Sequence, residues 1–161
     1  MKPTVTLHCK PYTAHYLKLK YGAGGSIIEL PKKSNLKKLF LSVLTKNFHP
    51  SAEFNKEVYS SCVDIKIRVN DLSQHGICLS PGFQHFINGI FEEKIKNELG
   101  FYIHAQRQMG LKWKEAIYAY QYDHQFTEEV FSYSAIERSY ERYLEDAKKT
   151  FCTSVGKLKA A

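Results

Sequence analysis

Residues 62–70 read CVDIKIRVN, and their apolar and polar side chains alternate along the whole stretch. A β-strand points successive side chains to opposite faces of a sheet, so this alternation predicts a strand with one buried and one solvated face. The side chains expected to face the core are those of Val63, Ile65, Ile67 and Val69, and Asp64, Lys66 and Arg68 are expected to face water. The chain is therefore expected to contain a sheet that is covered on one side.

Before this strand, strand and helix patterns alternate. TVTLHC (4–9) alternates as a short strand, and residues 12–21 have helical apolar spacing that ends at the glycines of YGAGGS. SIIEL (26–30) predicts a second strand, and Ser34 is a favourable N-cap for a helix reaching about residue 46. The predicted order is β-α-β-α-β, a small N-terminal layer with a few-stranded sheet.

After the strand, the spacing is helical almost to the C-terminus. A long run extends from Ser80 to Gly110, where Gly100 is a candidate kink, a second helix begins near Trp113, and a last helix spans about 134–149. These patterns predict a C-terminal three-helix region and, with the N-terminal layer, an α+β fold.

The change of pattern predicts a boundary at 79–82. It separates a basic α+β part at 1–79 from a helical part at 80–150, followed by a flexible tail at 151–161. The two parts can form separate subdomains or pack as one domain, since 161 residues suffice for either.

The positive charge is concentrated in the first third of the chain. The formal net charge is +7, yet residues 1–50 contain nine lysines and one acid, while the other 111 residues carry 14 basic and 15 acidic groups. A one-sided positive field attracts polyanions and speeds their encounter. The alternative interpretation is a solvated basic face that maintains solubility.

Four of these lysines surround the start of the predicted helix in KKSNLKK. Lys32 and Lys33 precede the N-cap, and Lys37 and Lys38 occupy the first turn, where cations oppose the helix dipole. A helix N-terminus with nearby ammonium groups suits a phosphate, so we predict a site for backbone phosphates of nucleic acid here. The lysines expected to extend this site are Lys10, Lys18 and Lys20.

The C-terminal helices also match the outline of a helix-turn-helix. In SYSAIERSYERYLEDAKK, Ser134 and Glu137 fit a capping box, and Arg138 and Arg142 could contact phosphates or guanine edges. Residues 125–147 have a net charge of −4, however, and the gap between the helices is longer than the usual turn. A bundle helix is therefore the preferred interpretation, and base reading by the two arginines stays as an alternative.

No pattern in the sequence names a reaction, a metal or a cofactor. YGAGGS lacks the residues of a phosphate-binding loop, the seven histidines form no metal-binding pair, and the four cysteines have no zinc-site spacing and are expected to be reduced thiols. No apolar segment is long enough for a membrane span or a signal peptide, so a cytoplasmic protein is expected.

Several quoted segments together resemble small uncharacterised proteins of phages and mobile elements, which are described either as hypothetical or as DNA-binding. These are KPYTAHYLKLKYG, the lysine-rich capped helix, the alternating strand, and EAIYAYQYDHQFTEEVFSYSAIERSYERY. The resemblance covers most of the chain and implies a regulatory or replication-related role on DNA. It transfers no catalytic residue.

The sequence thus predicts a non-catalytic nucleic-acid-binding protein, with DNA as the favoured partner and no membrane or cofactor. A first alternative is a protein–protein adaptor or homo-oligomer that uses the tyrosines of the helical half, namely Tyr118, Tyr120, Tyr122, Tyr133, Tyr140 and Tyr143. A second is an enzyme with a site built from distant residues, such as His85 or His104 with a cysteine.

Overall fold

The predicted α+β fold class is confirmed in a computed structural model, which describes residues 3–23, 25–47 and 57–158, with side chains through Lys149. In chain order the elements are β1 (Thr4–Cys9), α1 (Pro11–Tyr21), β2 (Ile27–Ile28), α2 (Asn35–Ser42), β3 (Leu44–Thr45), β4 (Ser61–Lys66), α3 (Val69–His75), β5 (Cys78–Leu79), α4 (Pro81–Gln108), α5 (Trp113–Asp123) and α6 (Tyr133–Leu158). None of these helices has the length and apolar character needed to cross a lipid bilayer.

The chain divides into two units, Met1–Glu92 and Glu93–Ala161. This division falls within α4, later than the boundary expected at 79–82. The reason is that the first turns of α4 bond to the segment joining β1 and α1, through Gln84, Asn88 and Glu92. The sequence pattern therefore changes from strand to helix near residue 80, whereas the first unit extends to Glu92.

The first unit is built on a three-stranded sheet with the order β1-β4-β2. β1 and β4 are antiparallel, with Val5 opposite Ile65 and Leu7 opposite Val63, and β2 runs parallel to β4. The inward side chains of these strands are buried as the alternation predicts. β3, which follows α2, and β5, which follows α3, form a separate antiparallel pair.

The strand predicted at 62–70 ends earlier than expected. β4 stops at Lys66, and Val69, predicted to face the core, begins α3 and is 66% exposed. Within the described residues, the last pair of β4 with β1 is Lys66 opposite Thr4, after which the Ile67 N–H bonds to the Pro3 carbonyl oxygen. Asp71 in the first turn of α3 then favours the helix through its dipole.

The helices flanking the sheet begin as the sequence predicts. α1 buries Ala14, Tyr16 and Leu17, and α2 starts after Ser34, whose hydroxyl oxygen accepts a hydrogen bond from the Lys37 N–H at 3.1 Å. α2 ends at Ser42, before the expected residue 46, since β3 forms there and pairs with β5.

The second unit contains the rest of α4 together with α5 and α6. Its core is formed by Ile95, Leu99 and Ile103 of α4, Ala116, Ile117 and Tyr120 of α5, Ile136 and Tyr140 of α6, and Phe126 and Phe131 of the connecting segment. The Arg107 guanidinium lies 5.1 Å from the ring centre of the half-buried Trp113. Ala116, Ile117 and Tyr120, which the sequence places on the apolar face of α5, all lie in this core.

The start of α6 differs from the predicted capping box. Ser132, not Ser134, accepts a hydrogen bond from the Ala135 N–H, and the carboxylate of Glu128 accepts one from the Tyr133 N–H. Glu137 is instead used between helices, where it accepts a hydrogen bond from the Trp113 indole N–H at 3.2 Å. α6 also continues to Leu158 through most of the segment expected to be a flexible tail, and residues 159–161 lie outside the described part.

Gly100 of α4 is explained by close packing. A Cβ atom at this position would overlap the ring of Tyr143 on α6, whereas a Cβ atom at Gly89 of the same helix would meet nothing within 4 Å. Gly100 therefore allows α4 and α6 to approach each other, and Gly89 has no such function.

We expect opposite effects of alanine at these two glycines. Gly89→Ala should raise the free energy of unfolding by about 0.5–1 kcal/mol, because alanine is the better helix former. Gly100→Ala should lower it, because the Tyr143 ring must be displaced. Urea denaturation followed by circular dichroism measures both changes, and a stabilising Gly100→Ala would contradict the packing of α4 on α6.

Candidate nucleic-acid interface

Three lysines at the start of α2 are exposed to solvent. Lys32 and Lys33 lie in a turn that is held by the Ser34 hydroxyl, which donates a hydrogen bond to the Pro31 carbonyl oxygen at 2.9 Å, and Lys38 lies in the first turn of the helix. α2 has no acidic residue in its first turn. These three ammonium groups and the N-terminus of α2 form a local positive surface, called here the α2 lysine patch.

Lys37, the fourth lysine of the predicted cluster, has a different environment. Its side chain is only 14% exposed, and its ammonium group lies 3.2 Å from a carboxylate oxygen of Asp71 on α3. This ion pair connects α2 to α3, so the charge of Lys37 is compensated within the first unit. Lys37 therefore differs from Lys32, Lys33 and Lys38, because its charge is compensated by Asp71.

The three supporting lysines are also placed differently from one another. Lys10 forms a 2.8 Å ion pair with Glu92, and Lys20 donates a hydrogen bond to the Tyr16 hydroxyl oxygen at 2.6 Å while lying 5.0 Å from that ring's centre. Lys18 is exposed in the last turn of α1 and, with His15, Leu19 and Gly25, lines a cleft of about 240 Å³. Lys18 and Lys20 both lie at the negative end of the α1 dipole, which favours cations.

The two candidate base-reading arginines lie on the exposed face of α6. Arg138 uses its Nε to donate a hydrogen bond to the Ser134 carbonyl oxygen at 3.1 Å, and Arg142 is exposed beside Glu141 in the sequence. Glu141, Glu145 and Asp146 are exposed on the same helix. This acidic surface would repel duplex phosphates, which weakens the case for base reading by α6.

Sequence reasoning missed a set of buried polar residues on α4. Gln84, Asn88 and Glu92 are spaced by four residues and are all buried. Gln84 accepts a hydrogen bond from the His8 N–H, Asn88 donates one to the His8 carbonyl oxygen at 2.7 Å, and Glu92 binds Lys10. We call these three residues the α4 polar ladder, because they bond to His8 at the end of β1 and to Lys10 just before α1.

The α4 polar ladder could have been recognised from its spacing. The three residues follow the period of the apolar Ile87, Phe91 and Ile95, so they share the buried face of α4. Polar residues on such a face require hydrogen-bonding partners, which predicts a contact with exposed backbone groups. Only the structure identifies His8 as that partner.

Two tyrosines, Tyr12 and Tyr59, lie near the charged end of this ladder. Burial raises the pKa of Tyr12 well above its ordinary value, and the neighbouring Glu92 carboxylate, with which Tyr12 shares a hydrogen bond, adds to that effect. The Tyr59 hydroxyl group lies 2.9 Å from Nδ1 of His85. Tyr12 is therefore a neutral hydrogen-bond donor and not a nucleophile at physiological pH.

The two histidines considered for an enzymatic site contact a tyrosine and a glutamine. His85 is bonded to Tyr59, and Nε2 of His104 lies 3.5 Å from Nε2 of Gln108. Within the described ranges, no group of three or more histidine, cysteine, aspartate or glutamate residues could hold a metal ion. Burial raises the pKa of Cys9 to about 12, which suppresses its thiolate, while Cys62 is exposed and Cys78 is half-buried.

Comparison of the chain with protein-family models, curated proteins and solved structures yields no match.

Removing the central member of the α4 polar ladder should destabilise the protein. Asn88→Ala leaves the His8 carbonyl oxygen without its partner, and we expect a loss of about 1–3 kcal/mol in the free energy of unfolding. Asn97→Ala, an exposed asparagine on the same helix, is the control and should change stability by no more than about 0.5 kcal/mol. Equal effects of the two substitutions in urea denaturation would show that Asn88 does not anchor α4.

The cysteines should differ strongly in reactivity. In the native protein, iodoacetamide should modify Cys62 at least about a hundredfold faster than Cys9, because the Cys9 thiol is buried and scarcely ionised. The pKa of Cys9 in the folded protein exceeds the ordinary value of 9.0. The part of the free energy of unfolding that depends on the neutral Cys9 thiol is therefore fully present below about pH 9 and is lost as the pH rises toward 12. Peptide mass spectrometry measures both rates, denatured protein serves as the control, and equal native rates would contradict the burial of Cys9.

Proposed function

We propose that the protein is a non-catalytic nucleic-acid-binding protein, with DNA as the favoured partner, of the type found in phages and mobile elements. The observation that carries the proposal is the α2 lysine patch, in which Lys32, Lys33 and Lys38 are exposed around a helix start that lacks acids. Acidic residues are the usual choice at this position, so an external anion is the natural partner for the positive surface. A cytoplasmic location is part of the proposal.

The charge of the first unit supports this function. Residues 1–92 contain twelve lysine and arginine residues and six acidic ones, a net charge of +6, and the second unit has a net charge of +1. Lysine ammonium groups bind the phosphate backbone by releasing condensed counterions, which requires no particular base sequence. The proposed mechanism is therefore phosphate neutralisation by the first unit.

Two internal ion pairs reduce the number of lysines available for phosphates. Lys10 and Lys37 are compensated by Glu92 and Asp71, and Lys20 donates a hydrogen bond to the Tyr16 hydroxyl oxygen. The other four members of the original set are exposed: Lys18, Lys32, Lys33 and Lys38. Five to seven phosphate contacts would correspond to a slope of log K against log [salt] of about −4 to −6 on duplex DNA. With the four exposed lysines of this set as phosphate contacts, we expect a slope of about −3.6.

The alternative function is a protein–protein adaptor or homo-oligomer, and one observation favours it. Tyr118 and Tyr122 lie one turn apart on α5 and are exposed, Tyr122 to 84%. Tyr120 and Tyr140 are not available to a partner, because both are fully buried in the second unit. A partner surface would therefore use only part of the tyrosine set that the sequence suggests.

A triple substitution tests the α2 lysine patch. Changing Lys32, Lys33 and Lys38 to glutamine should weaken binding to a generic DNA duplex and make the salt slope shallower by about 2.7, since each lost phosphate contact removes about 0.9. Lys37 is left intact so that its ion pair with Asp71 is preserved. Fluorescence anisotropy at several salt concentrations provides the measurement.

The matched control changes the same charge elsewhere. Lys114, Lys148 and Lys149 are exposed in the second unit, and their substitution by glutamine lowers the net charge equally. We expect the control variant to keep most of the wild-type salt slope. An unchanged slope in the first variant, or equal losses in both, would reject the α2 lysine patch as the phosphate site.

Purification distinguishes the adaptor alternative. A nucleic-acid-binding protein should retain nucleic acid at low salt, seen as a raised ratio of absorbance at 260 to 280 nm that nuclease treatment lowers. An adaptor should give a protein-like ratio together with a stable dimer in sedimentation, and this combination would contradict the proposed function.

A further inference from the structure

The ion pair between Lys37 and Asp71 brings the starts of two helices together. Lys37 is the third residue of α2 after its N-cap Ser34, and Asp71 is the third residue of α3 after its N-cap Arg68. The charged groups of Lys37 and Asp71 lie 3.2 Å apart, and their side chains are only 14% and 24% exposed. Since α2 and α3 are also in contact, their first turns are adjacent.

The third residue of a helix lies close to the N-cap of that helix, as in a capping box, where its side chain reaches back to the N-cap. In α2 this is seen directly, because the Lys37 N–H donates a hydrogen bond to the Ser34 hydroxyl oxygen. In α3 the Arg68 carbonyl oxygen accepts the hydrogen bond of Leu72 that closes the first turn. The two N-cap segments therefore lie beside one shared ion pair.

Arg68 is the cation that this arrangement adds to the α2 lysine patch. The sequence alternation predicts that it faces water from a strand, and in the structure it is the exposed N-cap residue of α3. Its side chain makes no hydrogen bond to the start of α3, and among the described residues none forms an ion pair with it. The Arg68 guanidinium group is therefore available to an external anion.

We propose that Arg68 binds a backbone phosphate of nucleic acid together with the α2 lysine patch, and that the Lys37–Asp71 pair positions it for this contact. The inference rests on the proposed function, since it assigns a further residue to the same surface. A guanidinium group can donate two parallel hydrogen bonds to one phosphate, whereas an ammonium group acts as a point charge. Arg68 thus orients one phosphate while the lysines neutralise others.

The Lys37–Asp71 pair contributes geometry and no net charge. A free aspartate beside a phosphate site would repel the phosphate, but the Asp71 carboxylate is compensated by Lys37. The pair keeps a segment that carries lysines next to a segment that carries an arginine, and the two are distant in sequence. Lys37 and Asp71 are therefore positioning residues, and Arg68 is the residue that contacts the phosphate.

Substitutions of Arg68 test the phosphate contact. With Arg68 added to the four exposed lysines, the slope of log K against log [salt] on duplex DNA should be about −4.5, and Arg68→Gln should make it shallower by about 0.9. Arg68→Lys keeps the charge, so it should keep the slope but bind more weakly than wild type. Lys148→Gln, at an exposed lysine of the second unit, is the control and should keep the wild-type slope.

Chemical modification of arginine gives a second readout that does not depend on a substitution. A saturating DNA duplex should slow the reaction of Arg68 with phenylglyoxal, measured by peptide mass spectrometry. Arg107, an exposed arginine of the second unit, should react at the same rate with and without the duplex. Equal rates at Arg68 in the two conditions, or an unchanged salt slope in Arg68→Gln, would overturn the contact.

The positioning role is tested in a variant that lacks the ion pair. In an Asp71→Ala background, Arg68→Gln should change the salt slope by less than about 0.9, because the two helix starts are no longer held together. Exchanging the partners, Lys37→Asp with Asp71→Lys, rebuilds the pair and should restore the full effect of Arg68→Gln. If Asp71→Ala does not fold, Asp71→Asn replaces it. An undiminished effect of Arg68→Gln without the pair would reject the positioning role.

The lysine variant separates this inference from the proposed function. If changing Lys32, Lys33 and Lys38 to glutamine leaves the salt slope unchanged, the proposed phosphate site itself fails. If that variant has the shallower slope expected of it while Arg68→Gln keeps the wild-type slope, only the assignment of Arg68 fails. The two failures therefore give different results in the same anisotropy measurement.

Discussion

The first unit depends on how α4 satisfies the edge of its sheet. β1 is an edge strand, and its His8 backbone groups bond to Gln84 and Asn88 of α4. Unpaired backbone groups on an edge are both energetically costly and open to pairing with other chains. The carboxamides of Gln84 and Asn88, one helical turn apart, bind the N–H and the carbonyl oxygen of His8. This contact covers the edge of the sheet and determines where α4 lies against β1.

The next turn of α4 connects this packing to the charge of the molecule. Glu92 is largely buried and is compensated by Lys10, while Asp71 compensates Lys37 between α2 and α3. These pairs are partly buried, and removing one partner would leave the other charge uncompensated, so the two lysines contribute to the fold. Lys18, Lys32, Lys33 and Lys38 are exposed and contribute a positive field at the surface of the first unit.

The two units differ in the chemistry of their surfaces. The first unit carries most of the net positive charge, and the second presents an aromatic cleft with carboxamide edges, lined by residues of α4 and by His124. Phosphate attraction acts over a distance and is weakened by salt, so it is expected of the first unit.

The sequence by itself determined the α+β class, most of the helices and strands, and the concentration of charge near the N-terminus, because these follow from local periodicity and composition. It also located the Ser34 cap and the buried face of α5. Only the tertiary structure decided that Lys10 and Lys37 are ion-paired, that Val69 leaves the sheet, that Gly100 accommodates Tyr143, and that residues of α4 and His124 form a cleft. Each of these depends on a partner distant in sequence, and local patterns carry no information about which distant groups will meet.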